Sequence, residues 1–293
     1  MNKLIAIVGP NASGKSSLGV ALARLFDGEI VSADSRQVFQ GLDLGSGKIS
    51  PEGMKGVPHH LIDVVPPDTF FSMADFQKLA YRAIDGIIAR GHTPFLVGGT
   101  GLYVESVTKG YELSAIAPDL SYRDELEKLS TPELYAMLIK ALPDIEIDKN
   151  NRNRVMRVLE KLHDGDRVQP AAKPRYDVLT LGVSWDRETL KSRIDERLTR
   201  REAQGMIDEV RSLRDTGVSD EFLLKLGLEY RYITEYLRGE WPSEEAMLNE
   251  LGLAIKRFAK RQMTWFKRDK SIFWLDMTGD PVQQAAEKIK EFL

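Results

Sequence analysis

The chain has 293 residues, 42% hydrophobic and 29% charged, with a net charge of −3. These proportions fit a folded protein with one substantial core and argue against a disordered chain, and the net charge argues weakly against a general nucleic-acid coat. No cysteine is present, which excludes disulfides and thiolate–metal sites and suits a reducing cytoplasm, and no apolar run approaches the roughly 20 residues that would cross a membrane.

The first apolar run, LIAIV at 4–8, empties into the glycine loop GPNASGKSS at 9–17, so it reads as a strand and not as a leader peptide. A helical pattern follows over 15–26, then a strand from 29 (EIVSA), a helix over 72–90 and a strand from 94 (PFLVGG). Beyond about 110 the pattern changes: three helix-like pieces over 122–129, 131–141 and 151–163, broken by Pro132 and Pro143, with Ser130 or Thr131 placed to cap the middle one ahead of Glu133. Strand character returns from 178 (VLTLGVS), helical patterns cover 186–215 and 243–267, and a last strand starts at 271 (SIFWLD). Continuous apolar strands alternating with helices predict a doubly wound α/β core around a mainly parallel sheet, with an inserted all-helical domain. The expected division is 1–110, first part of the core; 111–175, the insertion; and 176–293, second part with a basic C-terminal helix.

Charge is uneven along this frame. Residues 256–270 hold seven Lys or Arg against one Asp, and residues 149–161 five against one Glu. A mildly acidic protein with local basic stretches suits a selective contact with a polyanion. In the insertion, Arg154, Arg157 and Lys161 fall at i, i+3 and i+7, opposite Val155, Val158, Leu159 and Leu162, so this helix is amphipathic with a basic face.

Gly9, Gly14, Lys15 and Ser16 satisfy the P-loop pattern of ATP-binding proteins in its required strand–loop–helix setting. Glycines let backbone N–H groups, including those of Asn11, Ala12 and Ser13, turn around an anion. The helix N-terminus and Lys15 add positive charge, and the Ser16 hydroxyl can ligate Mg²⁺. The loop predicts a polyphosphate and says little about what is attached to it. A nucleotide-hydrolysing enzyme of this type needs an acid at a strand end. PFLVGGTGLY has none, whereas EIVSADSRQV ends in Asp34, which can organise a metal, act as a base or cap a turn.

Further strings, SADSRQVFQGLDLGSGK (32–48), GVPHHLIDVVPPDTFFSMADF (56–76) and VGGTGLY (97–103), together with NRVMRVLE (153–160), RIDERL and GMIDEV (193–210) and KRQMTWFKRD (260–269), resemble the tRNA dimethylallyltransferases, in order and through nearly the whole chain. The resemblance implies transfer of a dimethylallyl group from its pyrophosphate to N6 of the adenosine 3′ to the anticodon, with the P-loop holding the isoprenoid pyrophosphate and the insertion gripping the anticodon stem-loop. By position it implies Asp34 as general base, Ser35, Arg36 and Gln37 lining the adenosine pocket, Thr100 at the reaction channel and Arg197 on the pyrophosphate. It implies tRNA contacts at Arg123 and at Asn153, Arg154, Val155, Met156 and Arg157. Two departures stand out: Asn11 where threonine is more usual, and GLEYRYITEYL (227–237) in place of the usual GYKE or GYRQ string, which leaves Glu229 and Arg231 without a role.

The chemistry agrees with these residue types. An allylic pyrophosphate reacts by separating a carbon electrophile from a charged leaving group, so cations on that leaving group are the largest lever. Arg193 and Arg197, four apart, share a helix face and can meet one anion or pair with Asp195, Glu196 or Glu202. The exocyclic amine becomes nucleophilic as its proton leaves, which a nearby carboxylate promotes. The expected molecule is a cytoplasmic monomer using Mg²⁺. Alternatives are a P-loop small-molecule kinase, an NTP-switched binding module and an adenylate prenyltransferase. A kinase has no use for the basic insertion or tail, and the tRNA-type strings oppose a free adenylate acceptor. His59 and His60 read as hydrogen-bonding residues, Trp265 and Phe266 as packing or base-stacking ones, and Asp43 and Asp75 carry no assignment.

Overall fold

The computed structural model describes residues 1–113, 119–166 and 172–293. They form two compact units, Met1–Lys109 with Pro174–Leu293, and Gly110–Lys173. The expected insertion, 111–175, contains 114–118 and 167–171, which lie outside the described residues.

In the first unit, strands β1 (Lys3–Val8), β2 (Gly28–Ser32), β3 (His59–His60), β4 (Thr93–Gly98), β5 (Asp177–Ser184) and β6 (Phe273–Asp276) build one sheet. Every neighbour is parallel, in the order β3-β2-β4-β1-β5-β6. Five of these strands are the apolar runs of the sequence. The sixth, β3, is two residues long, too short for any periodicity to betray it. It exists because Ile30 and Val31 of β2 pair with His59 and His60.

Helices on both faces explain the continuous apolar runs. Leu4, Ala6 and Val8 of β1 face a layer containing Phe76, Ala80, Ile84 and Ile87 from the helix Met73–Ala89. Ile5 and Ile7 face the opposite layer, with Leu18 and Leu22 from the helix Lys15–Leu25 and Ile289 from the helix Pro281–Phe292. Burying a Leu or Ile contributes roughly 1.5–3 kcal/mol each, so alternate residues of one strand stabilise two different layers.

The pattern over 186–215, expected as one helix, is two: Arg187–Ala203 and Met206–Asp215. Gly205 stands between them at φ 92, in the left-handed region that residues with a Cβ avoid. The turn lets both helices bury their apolar sides in a third cluster, which includes Ile194, Leu198, Met206 and Val210 and the helices Leu228–Leu237 and Glu244–Phe266.

The second unit has its own core, formed by Leu126, Leu134, Leu138, Val155, Met156, Val158 and Leu159 from the helices Leu120–Glu127, Thr131–Ala141 and Arg152–His163. Ser130 is the cap of the middle helix: the Glu133 carboxylate accepts from its N–H at 2.7 Å and from its Oγ at 2.6 Å. Pro132 sits in the first turn, where its missing N–H costs nothing.

Register places the chemistry. Val8 of β1 pairs with Gly98 of β4, and Ser32 of β2 with Val97. The glycine loop, Asp34 and Thr100 therefore leave adjacent strands at one edge, the carboxyl end where open α/β sheets bind ligands.

Candidate active site

The P-loop is held from outside by its carbonyls and its Asn11 N–H. Trp185 Nε1 donates to the Ser13 carbonyl and Arg193 Nε to the Ala12 carbonyl, each at 2.9 Å. Gln262 Oε1 accepts the Asn11 N–H at 2.9 Å, while its Nε2 donates to the Gly99 carbonyl at 3.0 Å. Lys15 Nζ donates to the Pro10 carbonyl at 3.2 Å. Fixing the loop in advance removes the cost of ordering it around an anion. Arg193 thus meets the loop backbone through Nε and stacks over Trp185, with 4.8 Å from guanidinium carbon to ring centre.

Asn11, Lys15, Ser16, Asp34, Gln37 and Arg197 line one cavity, together with Gly47, His59 and the apolar Ile30, Ile49, Ile62 and Val97. Among the expected site residues, Gly9, Ala12, Ser13 and Gly14 form the loop behind this lining. Asp34 Oδ1 accepts the Arg36 N–H at 2.9 Å, a local turn that fixes the carboxylate. Thr100 Oγ1 accepts the Ser35 N–H at 3.1 Å and tethers the end of β4 to the loop after β2. Gln37 Nε2 donates to the Gly47 carbonyl at 3.4 Å, and its Oε1 accepts from Ser32 Oγ at 3.1 Å. Arg36 is not among the residues that line this cavity. Its Nε and Nη2 donate to the Leu226 carbonyl at 3.1 and 2.9 Å, so the guanidinium caps the helix Asp220–Leu226.

The helix Arg187–Ala203 presents three arginines at intervals of four: Arg193 on the loop, Arg197 in the cavity and Arg201 behind it. Arg197 Nη2 donates to the Gly47 carbonyl at 3.2 Å. Burial pushes the Lys15 ammonium down to about 8, with Arg197 and Arg201 adding to the fall and Asp34 opposing it. Burial, then Arg201, lowers Arg197 to about 10 against the pull of Glu229 and Asp34. Cations so strained by desolvation and mutual repulsion are poised for an anion of high charge.

The residues expected to meet tRNA in the insertion divide by exposure. Asn153, Arg154 and Arg157 are exposed. Val155 and Met156, 0% and 5% exposed, belong to the core of the second unit, which removes their side chains from any direct contact. Arg123 Nε lies 3.6 Å from the buried Glu160 carboxylate, and Arg157 Nη1 donates to the same carboxylate at 2.9 Å. Arg123 and Arg157 are therefore both counter-ions of Glu160 within their unit.

A family model described as IPP transferase matches residues 37–269, and one described as Isopentenyl transferase matches residues 2–65. The chain belongs to the IPP transferase family. The tRNA dimethylallyltransferase 1 of Geotalea uraniireducens is 41% identical over 98% of this chain and 97% of its own length. The tRNA dimethylallyltransferase 2 of Shewanella sediminis is 43% identical over 98% of both. The full-length tRNA isopentenylpyrophosphate transferase of Bacillus halodurans, a solved structure, matches with a TM-score of 0.76 and 37% identity over 99% of this chain and 96% of that one.

In this IPP transferase the donor set also bears on a metal. Among the described residues no group of three His, Cys, Asp or Glu could hold an ion by protein ligands alone. The Ser16 hydroxyl, on the cavity, is a hard oxygen donor. Such a sparse oxygen set fits Mg²⁺, which keeps waters and shares phosphate oxygens.

Several residues of the site had no sequence signal of their own. Glu209 accepts the N–H groups of Asp43, Leu44 and Gly45 at 3.1, 2.6 and 3.0 Å and so pins the loop that carries Gly47. Gln262 sits inside the RQMTWF string, where the basic neighbours drew attention instead. Phe266 packs into the sheet layer. Asp75 caps its own helix through Ser72, Asp43 pairs with Lys48, and His60 pairs with Glu29.

Proposed function

We propose that the chain transfers a dimethylallyl group from dimethylallyl pyrophosphate to N6 of the adenosine 3′ to the anticodon in tRNA. The observation that carries the reading is one cavity lined by the P-loop cation Lys15, the cation Arg197 from the helix Arg187–Ala203 and the carboxylate Asp34. A phosphate-holding set facing a fixed base suits displacement of a pyrophosphate by a nucleophile that must lose a proton. Full-length similarity to tRNA dimethylallyltransferases supports the same reaction.

In this mechanism Lys15, Arg197 and the loop N–H groups other than those of Asn11 and Ser13, which donate to Gln262 and to the Pro10 carbonyl, hold the pyrophosphate and stabilise the charge it gains as the allylic C–O bond breaks. Mg²⁺, held by Ser16 and by phosphate oxygens, supplies further neutralisation of that charge when bound. Asp34 takes the proton from N6 as the nitrogen attacks the allylic carbon. Gln37, which both donates and accepts, suits a base edge, and the apolar lining from Ile30, Ile49, Ile62 and Val97 suits a five-carbon chain. In the second unit, the exposed Arg154 and Arg157 suit RNA phosphates. Among the described residues no helix is long and apolar enough to cross a membrane, in keeping with a cytoplasmic enzyme. A monomer is the expected state, and its mass in solution by light scattering checks this.

The decisive experiment supplies Mg²⁺, dimethylallyl pyrophosphate and either unmodified tRNA or AMP, and reads the adenosine mass. Prenylated tRNA is expected. Prenylated AMP alone would assign the free-adenylate reaction, and transfer to neither acceptor would overturn the reading.

A further inference from the structure

Behind the cavity lies a charged pair that the reaction described above leaves unused. Arg201 Nη1 donates to Glu229 Oε1 at 3.0 Å, and the two residues are 9% and 2% exposed. Burying two charges is costly, and a buried pair seldom stabilises a fold more than apolar residues of the same volume would. Its position indicates another use. Arg201 is one helical turn beyond Arg197, and the Nη2 atoms of both arginines converge on Gly47. A Cβ built at Gly47 would stand 1.6 Å from Arg201 Nη2 and 2.0 Å from Arg197 Nη2. Two guanidinium groups so close repel each other unless one is neutralised, and Glu229 is the carboxylate placed to do so. Glu229 Oε2 has no hydrogen-bond partner among the described residues, so the carboxylate is committed to Arg201 through one oxygen. Arg197 lines the cavity and Arg201 does not.

We infer that the Arg201–Glu229 pair is a positioning device that holds Arg197 against the Gly47 carbonyl and aims it at the pyrophosphate. This gives Glu229, and the GLEYR segment that carries it, a part in the reaction. The inference rests on the prenyl-transfer reading, in which Arg197 touches the leaving group; Arg201 acts only through Arg197. Neutralising Arg201 locally also leaves the field in the cavity to Lys15 and Arg197, whose tips reach it.

The test is a kinetic cycle on the intact enzyme with unmodified tRNA and dimethylallyl pyrophosphate. Glu229→Gln keeps the shape and the acceptor but removes the charge. Arg201→Met with Glu229→Gln removes the pair while leaving no unpaired buried charge. Arg201→Lys is the conservative rescue. For both disrupted enzymes kcat is expected to fall at least tenfold while KM for tRNA stays within twofold, and Arg201→Lys is expected to recover most of kcat. In an Arg197→Ala background the same changes should add less than a further twofold, because the residue through which they act is gone. A fold defect alone would lower the yield of active enzyme and add to the Arg197→Ala loss in full. Kinetics unchanged in both disrupted enzymes, or additive losses, would overturn the inference. If the double variant does not fold, Glu229→Gln and Arg201→Lys decide by the same criteria. Absence of transfer by the wild-type enzyme would instead remove the underlying reading.

Discussion

Gln262 and Asn11 are 251 residues apart, yet the Gln262 side chain accepts the Asn11 N–H at 2.9 Å and ties the P-loop to the end of β4 through Gly99. Gln262→Leu keeps the volume and strands both partners, a half-buried N–H and a buried carbonyl. The expected cost is about 1–3 kcal/mol of stability. KM for dimethylallyl pyrophosphate is expected to rise several-fold more than KM for tRNA, because the loop must then be ordered by its ligand. Equal changes in both constants would argue that Gln262 only stabilises the fold.

Asp34 lies on the cavity with its carboxylate fixed by the Arg36 N–H. Asp34→Ala is expected to lower turnover by on the order of 10²–10⁴, about 3–5 kcal/mol of barrier, while tRNA affinity changes little. Turnover within a few-fold of the wild type would remove Asp34 from the base role.

Gly47 adopts φ 65 and receives the tips of Arg197 and Arg201. Both tips are ends of flexible side chains, so Gly47→Ala displaces them without rebuilding the core. The variant is expected to fold, with about 1 kcal/mol of backbone strain, and to lose at least tenfold in kcat. Full activity in a folded Gly47→Ala enzyme would show that the position of Arg197 tolerates movement.

Arg154 and Arg157 are exposed on the helix Arg152–His163. If each meets one phosphate, replacing both by alanine should weaken tRNA binding at low salt. It should also flatten the plot of log affinity against log salt by about 1.4–1.8. An unchanged slope would direct attention to another basic face, such as Lys260 and Arg261.

Glu29 in β2 accepts from Arg90 Nε and Nη2 at 3.0 and 2.7 Å and pairs with His60 Nε2 at 2.6 Å. Burial raises its carboxyl, but the hydrogen bonds from Arg90 and His60 outweigh this and hold it below the usual carboxylate range. A carboxylate depressed in the folded state contributes stability above its unfolded pKa and loses it as pH falls through the folded value. Glu29→Gln should therefore be less stable than the wild type at pH 7, and denaturant melts should show that gap closing in acid. A gap that stays constant down to pH 3 would argue against the linkage.

Much of the fold was legible because its signals are local. The P-loop reads from nine consecutive residues, and the run at 4–8 declares a strand buried on both faces by having no polar residue in it. The capping of Thr131–Ala141 by Ser130 and Glu133 is likewise a matter of three-residue spacing. The break at Gly205 was hidden because a lone glycine within a helical pattern is tolerated often enough to pass, and β3 was hidden because two residues have no period.

The amino-acid sequence by itself determined the α/β core, the phosphate-binding loop, the basic helix in the second unit and the arginine ladder Arg193–Arg197 at helical spacing. Only the tertiary structure decided what these arginines meet and added Arg201 to them: the Ala12 carbonyl for Arg193, the cavity and the Gly47 carbonyl for Arg197, and Glu229 for Arg201. The same packing turned Arg36 away to a helix end and drew Gln262 into the loop. The physical reason is range. Helical periodicity fixes which residues share a face over a few turns, whereas the partner of a buried charge is chosen by elements that come from distant parts of the chain.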